Sequence, residues 1–353
     1  MQRRDTSRLK RGAVSTILKL LLAAGVALLL WHQFASVNVS MALTLLNRAG
    51  ISMVFVLVPP LITVMLDSAG LLLCIPRRIP SPGLLRIIPP RIGGDAVILS
   101  TPAGMAAGET LRAFWLARLL RMPMEESVAV CLMGKVNLAG GQALFYGIIL
   151  VVLAVLGSRV TGTLSVGVAF LATIAVGFSL VVIFVARVYT GSRLTSLLAL
   201  AMRIPWERWK RLLSRFESSV ARVDSTILEL AGRDRWRVIG SLGAFLGGWI
   251  IQGLEPYVIL VVLGQSVSVG QGMLLEGVAS LLRIGFFFLP SAIGAADAAY
   301  ASLIAGFGIA DWQSVAVAFI VIKRSREILW LGAGYCAILL SRWTRESADI
   351  QIT

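Results

Sequence analysis

Charge is scarce in this chain. Only 14% of its 353 residues are Asp, Glu, Lys or Arg, where a soluble domain carries about 25%. Histidine occurs once, as His32, and cysteine three times, as Cys74, Cys131 and Cys336. A single histidine at the end of an apolar run leaves little room for the common acid–base designs. The cysteines lie in separate apolar segments without ligand spacing, so neither a disulfide nor a metal site is expected. No Gly-x-Ser-x-Gly, His-Glu-x-x-His or phosphate-loop pattern occurs. These shortages disfavour an enzyme, and they leave an intramembrane transferase built on Asp and Glu as the remaining catalytic option. No cofactor is implied.

Apolar sequence fills the space: 57% of the residues are hydrophobic. Several runs approach the roughly 20 apolar residues that cross a bilayer, which makes the chain an all-α polytopic membrane protein. Lys and Arg number 33 against 18 Asp and Glu, a net charge of +15. The basic residues lie between apolar runs. That is the positive-inside pattern and implies contact with anionic lipid headgroups, not nucleic acid.

In order, a basic stretch over 1–13 precedes a first span at about 14–31, with the N-terminus in the cytoplasm. Residues 36–50 read as a short linker, and a second span at about 51–75 should kink at Pro59-Pro60. The Pro- and Arg-rich segment 76–95 reads as a cytoplasmic loop. Runs at about 126–157, 163–187, 238–263 and 312–341 supply further spans, giving about six in all. Residues 188–237 are strongly basic, with Leu212, Phe216, Val220, Val223, Ile227 and Leu230 at helical spacing. They fit either an amphipathic helix on the inner leaflet or a helix packed on the bundle. The whole is expected to be a single membrane domain over 1–353, with repeat one at about 51–187 and repeat two at about 238–341.

Two stretches do not fit simple spans. Residues 96–121 are broken at Pro102 and Gly104, and residues 271–308 at Pro290 and Gly294. The apolar part before the first break is too short to span, and both stretches are read as re-entrant pairs of half-helices. Pro102 precedes Glu109 by the same distance that Pro290 precedes Asp297. Ser-Val-Ala-Val follows in both (Ser127–Val130 and Ser314–Val317), and then a lysine, Lys135 or Lys323. One stretch starts inside and the other outside, so an inverted repeat is expected, with a substrate site at its interface.

The charges at membrane depth are Glu109, Arg112, Lys135, Glu255, Glu276, Arg283, Asp297, Lys323, Arg324, Arg326 and Glu327. Each costs about 2.5–3.5 kcal/mol at a helix centre, so they need partners. One reading is a set of fold-fixing ion pairs, such as Glu109–Arg112 and Arg324–Glu327. The other is a polar cavity for a lipid headgroup. Around Arg283, Asp297, Lys323, Arg324 and Arg326 the cations outnumber the acids, which asks for an anion such as phosphate. The half-helix after the second break is expected to aim its positive end there.

Leu289-Pro-Ser-Ala-Ile-Gly-Ala-Ala-Asp297 resembles the Pro-Gly-Gly-Ile-Gly-x-x-Glu signature of the flippase-like membrane family, which includes the transmembrane region of lysylphosphatidylglycerol synthases. Ala103–Arg112 is similar to that family's Gly-Glu motif followed by an arginine, and Leu275–Pro290 with Lys323–Trp330 resembles the branch encoded beside hopanoid biosynthesis. Ser291, Ala292 and Asp297 depart from the usual residues of the signature. The resemblance places Glu109, Arg112, Glu276, Arg283, Asp297, Arg324, Arg326 and Glu327 on family motif positions; Lys323 joins them as a candidate substrate contact. It implies a lipid translocase of the bacterial inner membrane, with both termini cytoplasmic, handling an anionic, polyisoprenoid or hopanoid-type lipid. Membrane lipids, and lipid-biosynthesis enzymes as possible neighbours, are the expected partners. The rival expectation is a non-transporting scaffold subunit for a lipid-modifying enzyme.

Overall fold

The computed structural model describes residues 39–101, 104–160, 234–286 and 294–350, with single positions at 177, 179, 221 and 225. The expected span at 14–31, the run at 163–187 and nearly all of the basic segment 188–237 lie outside the described residues, as does the core of the second break at 287–293. Among the described residues every regular element is helical, so the protein is all-α.

The first rod is longer than the expected span. Helix α1 (Val39–Ala49) runs through a 3-10 turn (Gly50–Leu57) into α2 (Val58–Cys74), so the expected linker at 36–50 is mostly helix. Pro59 and Pro60 occupy the first turn of α2. Their missing N–H groups have no intrahelical partner there in any case, and they start a helix where a mid-span kink was expected.

The segment read as a cytoplasmic loop is also largely helical. Helix α3 (Leu84–Ser100) contains Pro89 and Pro90 and buries Arg91. Helix α4 (Gly104–Leu120) turns back against it. The two approach so closely that an added Cβ on Gly94 would lie 3.1 Å from the Gly108 carbonyl. Small residues permit such contact between membrane helices.

Helix α5 (Met124–Val160) and helix α6 (Arg235–Val262) are the long helices of the middle. Helix α7 (Val269–Gly285) is started by Ser268 and Gln271, each bonding the other's backbone N–H. After the second break come α8 (Ala295–Gly306) and α9 (Trp312–Ile350). Among the described residues three stretches, Val39–Cys74, Met124–Val151 and Arg235–Val262, are long and apolar enough to cross a membrane. At 12 residues α8 extends roughly 18 Å, well short of a ~30 Å hydrocarbon core.

The order long helical stretch, short helix, short helix, long helix occurs twice, in Val39–Cys74 (α1, the 3-10 turn and α2) followed by α3–α5, and in α6–α9. A shift of 188 positions carries Asp67 onto Glu255, Glu109 onto Asp297 and Lys135 onto Lys323, and the start of α5 onto that of α9. The equivalent helices α2 and α6 pack antiparallel: Thr63 bonds the Gly248 carbonyl (3.3 Å) near one end, and Cys74 meets Ser241 (3.3 Å) near the other. Each short first helix lies on the other unit's last helix. Helix α7 meets α5 through Ser280 and Tyr146 (3.0 Å), and α3 meets α9 through Ser100 and Tyr335 (2.5 Å). One apolar core centres on Phe145, Tyr146, Leu274 and Phe319, and a second on Ile87, Leu116 and Val130.

Candidate functional site

The charges form two networks, one per unit. In the first, α2 contributes Asp67, α3 Arg91 and Asp95, α4 Glu109 and Arg112, and α5 Lys135. Arg91 pairs with Asp67 at 2.6 Å and also with Asp95. Arg112 reaches Asp95 at 2.7 Å and Glu109 at 2.6 Å, and Lys135 lies 2.8 Å from Glu109. Glu109 and Arg112 share a face because they are three apart on one helix. Three acids meet three bases. The space enclosed by Asp67, Arg91, Arg112 and Lys135 is about 10 Å³, at the lower limit for one water. Glu109 Oε2 and Arg112 Nε are buried in this network without a hydrogen-bond partner among the described residues.

The second network is larger. On α6, Glu255 accepts both Nε (2.8 Å) and Nη2 (2.7 Å) of Arg326, and it also accepts Lys323 at 3.2 Å. On α7, Glu276 accepts four donors. Gln252 (3.0 Å) and Arg283 (2.9 Å) bond one oxygen, while Lys323 (3.0 Å) and the Tyr300 hydroxyl (3.3 Å) bond the other. Arg283 also donates to the Tyr300 hydroxyl at 3.1 Å. One residue along α9, Arg324 grips Asp297 at 2.7 Å and Glu327 at 2.5 Å.

All the candidate residues are thus brought into networks: Glu109 and Arg112 in the first, and Glu276, Arg283, Asp297, Lys323, Arg324, Arg326 and Glu327 in the second. The expected excess of cations is not there. Among the described residues the totals are equal: Glu255 and Glu276 are shared by Arg283, Lys323 and Arg326, and Asp297 and Glu327 flank Arg324. Glu255 and Glu276 are distant from α9 in sequence, and the folding of α6 and α7 against it supplies the missing negative charge. The start of α8 is not vacant either: the Asp297 carboxylate accepts the Gly294 N–H at 2.9 Å. An acid of the chain itself thus occupies the position where a phosphate was expected.

Balance explains how so many ions are tolerated at membrane depth. A buried ion is costly unless it is paired and its remaining hydrogen-bonding groups are met. Each network also has a more buried and a more exposed side. In the second, the Glu255, Glu276 and Lys323 side chains are at most 3% exposed, whereas Arg283 is 26% and Arg324 21% exposed. In the first, Arg112 is 4% and Lys135 33% exposed.

Asp67, Arg91, Asp95 and Tyr300 belong to the networks without having been singled out from sequence. Asp67 carried a usable signal, since it stands at the shared 188 offset from Glu255. Arg91 and Asp95 were hidden by a Pro–Arg composition that reads as a loop.

A family model described as the lysylphosphatidylglycerol synthase TM region matches residues 16–326. Searches of curated proteins and of solved structures give no match.

Proposed function

Because the chain belongs to the lysylphosphatidylglycerol synthase TM-region family, we propose that this multi-pass membrane protein is a lipid translocase in which polar headgroups are passed along the more exposed sides of the two networks. The carrying observation is the pair of charge-balanced networks, at related positions of two units whose equivalent helices run antiparallel. Two such units are an inverted repeat, and transporters of that architecture bind substrate near the repeat interface. The two short-helix pairs take the part of its re-entrant elements.

Balance changes how a headgroup is received. No uncompensated positive charge waits for it, so it enters by exchange. An anionic headgroup displaces Glu327 from Arg324, and the freed carboxylate turns to water or to a cationic part of the lipid. The acyl tails stay in the bilayer. The reading is of a carrier and not an enzyme, and anionic glycerolipids, polyisoprenoid or hopanoid-type lipids fit it alike. Basic residues gather where α2 ends (Arg77, Arg78), α3 begins (Arg86), α4 ends (Arg118) and α6 begins (Arg235, Arg237). By the positive-inside rule that end faces the cytoplasm of a bacterial inner membrane.

The complete pairing of the second network also favours a second reading, a non-transporting subunit that scaffolds a lipid-modifying enzyme. Reconstitution into liposomes with labelled anionic and zwitterionic lipids separates the two. Movement by wild type that slows in Arg283→Ala and Asp297→Asn supports the translocase. Equal movement by all three, or none by wild type with any lipid, supports the scaffold.

A further inference from the structure

A cavity of about 360 Å³, lined by no residue of either network, opens at the basic end of the bundle between the end of α2, the start of α6 and the first half of α5. Leu73, Met133 and Val238 form apolar walls, and Arg77, Arg237 and Asn137 are among its polar residues. Its size falls in the range of small-molecule sites. Among the described residues its charge is unlike that of the networks: three lining arginines, Arg77, Arg78 and Arg237, face one lining acid, Asp234. Arg78 is paired outside the cavity with Glu126, and Arg77 lies 2.5 Å from Asp234. One cation is left over.

That cation is Arg237, and it is held in place by backbone. Its Nε donates to the Leu73 carbonyl (3.1 Å) and its Nη2 to the carbonyls of Leu72 (3.1 Å) and Ile75 (2.8 Å). These are carbonyls at the end of α2, where intrahelical donors run out. The neutral partners orient the guanidinium without cancelling its charge, and Nη1 is spent on none of them. Arg77 likewise uses Nε on Asp234. Two arginine ends with unspent N–H groups therefore stand beside a pocket with apolar walls. The Nη1–Nη2 edge of Arg77 suits two oxygens of a phosphate, and Nη1 of Arg237 a third. The neighbouring Trp236 is 81% exposed, as befits a side chain at the headgroup level.

We infer that this cavity is a phosphate-binding site for an anionic glycerophospholipid, with the phosphate between Arg77 and Arg237 and the first part of an acyl chain against Leu73, Met133 and Val238. It is a resident-lipid site at the basic face, separate from the networks and independent of whether the protein transports.

The test uses the full chain in a neutral detergent, titrated with dihexanoylphosphatidylglycerol, dihexanoylphosphatidylcholine or inorganic phosphate, with binding read from the rise in Tm. Wild type is expected to bind the glycerol lipid at least tenfold more tightly than the choline lipid. Arg77→Gln is expected to weaken that binding roughly tenfold, the loss of one charged hydrogen bond. Val238→Trp, which fills the cavity, is expected to abolish it, and Arg86→Gln, at the same basic end but outside the cavity, to leave it unchanged. Equal affinity for both lipids, or unchanged binding in Arg77→Gln, overturns the site. Inorganic phosphate binding as tightly as the lipid overturns the lipid assignment. If Val238→Trp does not fold, Arg77→Gln decides, because that side chain is 74% exposed and contributes little to packing.

Discussion

Glu276→Gln is the most informative single change to the second network. The substitution keeps size and shape and removes one negative charge. Glu276 is fully buried and accepts Gln252 and Arg283 on one oxygen, and Lys323 and Tyr300 on the other. A glutamine retains one acceptor oxygen, and its NH₂ group must face donors whichever way it turns. The network is left with one uncompensated cation in a dry place. Breaking a buried ion pair by removing one partner costs about 3–5 kcal/mol. At roughly 2–4 °C per kcal/mol, the Tm in detergent should fall by about 6–20 °C. The double variant Glu276→Gln/Lys323→Met removes one charge of each sign and restores balance. It should be less destabilised than the sum of the two single variants by about 1–3 kcal/mol, the coupling seen for residues in one network. An additive double, or a Glu276→Gln protein as stable as wild type, would refute the claim that charge balance holds this region together.

Three further outcomes follow from the same geometry. Lys135→Met should cost about 1 kcal/mol or less, since its side chain is one-third exposed and makes one pair, whereas Lys323→Met should cost about 3–5 kcal/mol; thermal melts side by side test the ranking. Gly248→Ala should destabilise by about 1–3 kcal/mol, because the new Cβ would lie 2.6 Å from Asp67 Oδ1; a neutral result in the same melts would mean that α2 and α6 are not packed so closely. Arg324→Gln leaves Asp297 and Glu327 without their shared cation, and should slow lipid movement in liposomes at least about tenfold while Arg86→Gln does not.

Much of this arrangement was legible in the sequence, because apolar length and proline–glycine breaks are local signals. The helical class, both breaks and the charges of α9 are properties of short windows. Comparing the two short motifs then gives the 188 spacing of Glu109 with Asp297 and Lys135 with Lys323. Partnership is not local. The cation excess around Lys323 and Arg324 vanished once α6 and α7 delivered Glu255 and Glu276. Arg91 reads as a loop residue beside Pro89 and Pro90, yet it lies in a helix and pairs with Asp67 and Asp95 in the core. Composition located the polar places of an apolar chain, and packing decided what they are paired with.

Accessibility at the second network tests most directly whether it has a side that can receive a headgroup. In a Cys336→Ser background, which removes the one exposed cysteine, Glu327→Cys and Glu276→Cys proteins in liposomes are each exposed to a small, charged methanethiosulfonate reagent. A wet edge beside a dry interior predicts rapid modification at 327 and little or none at 276. Equal rates at both positions, or no reaction at 327, would contradict it.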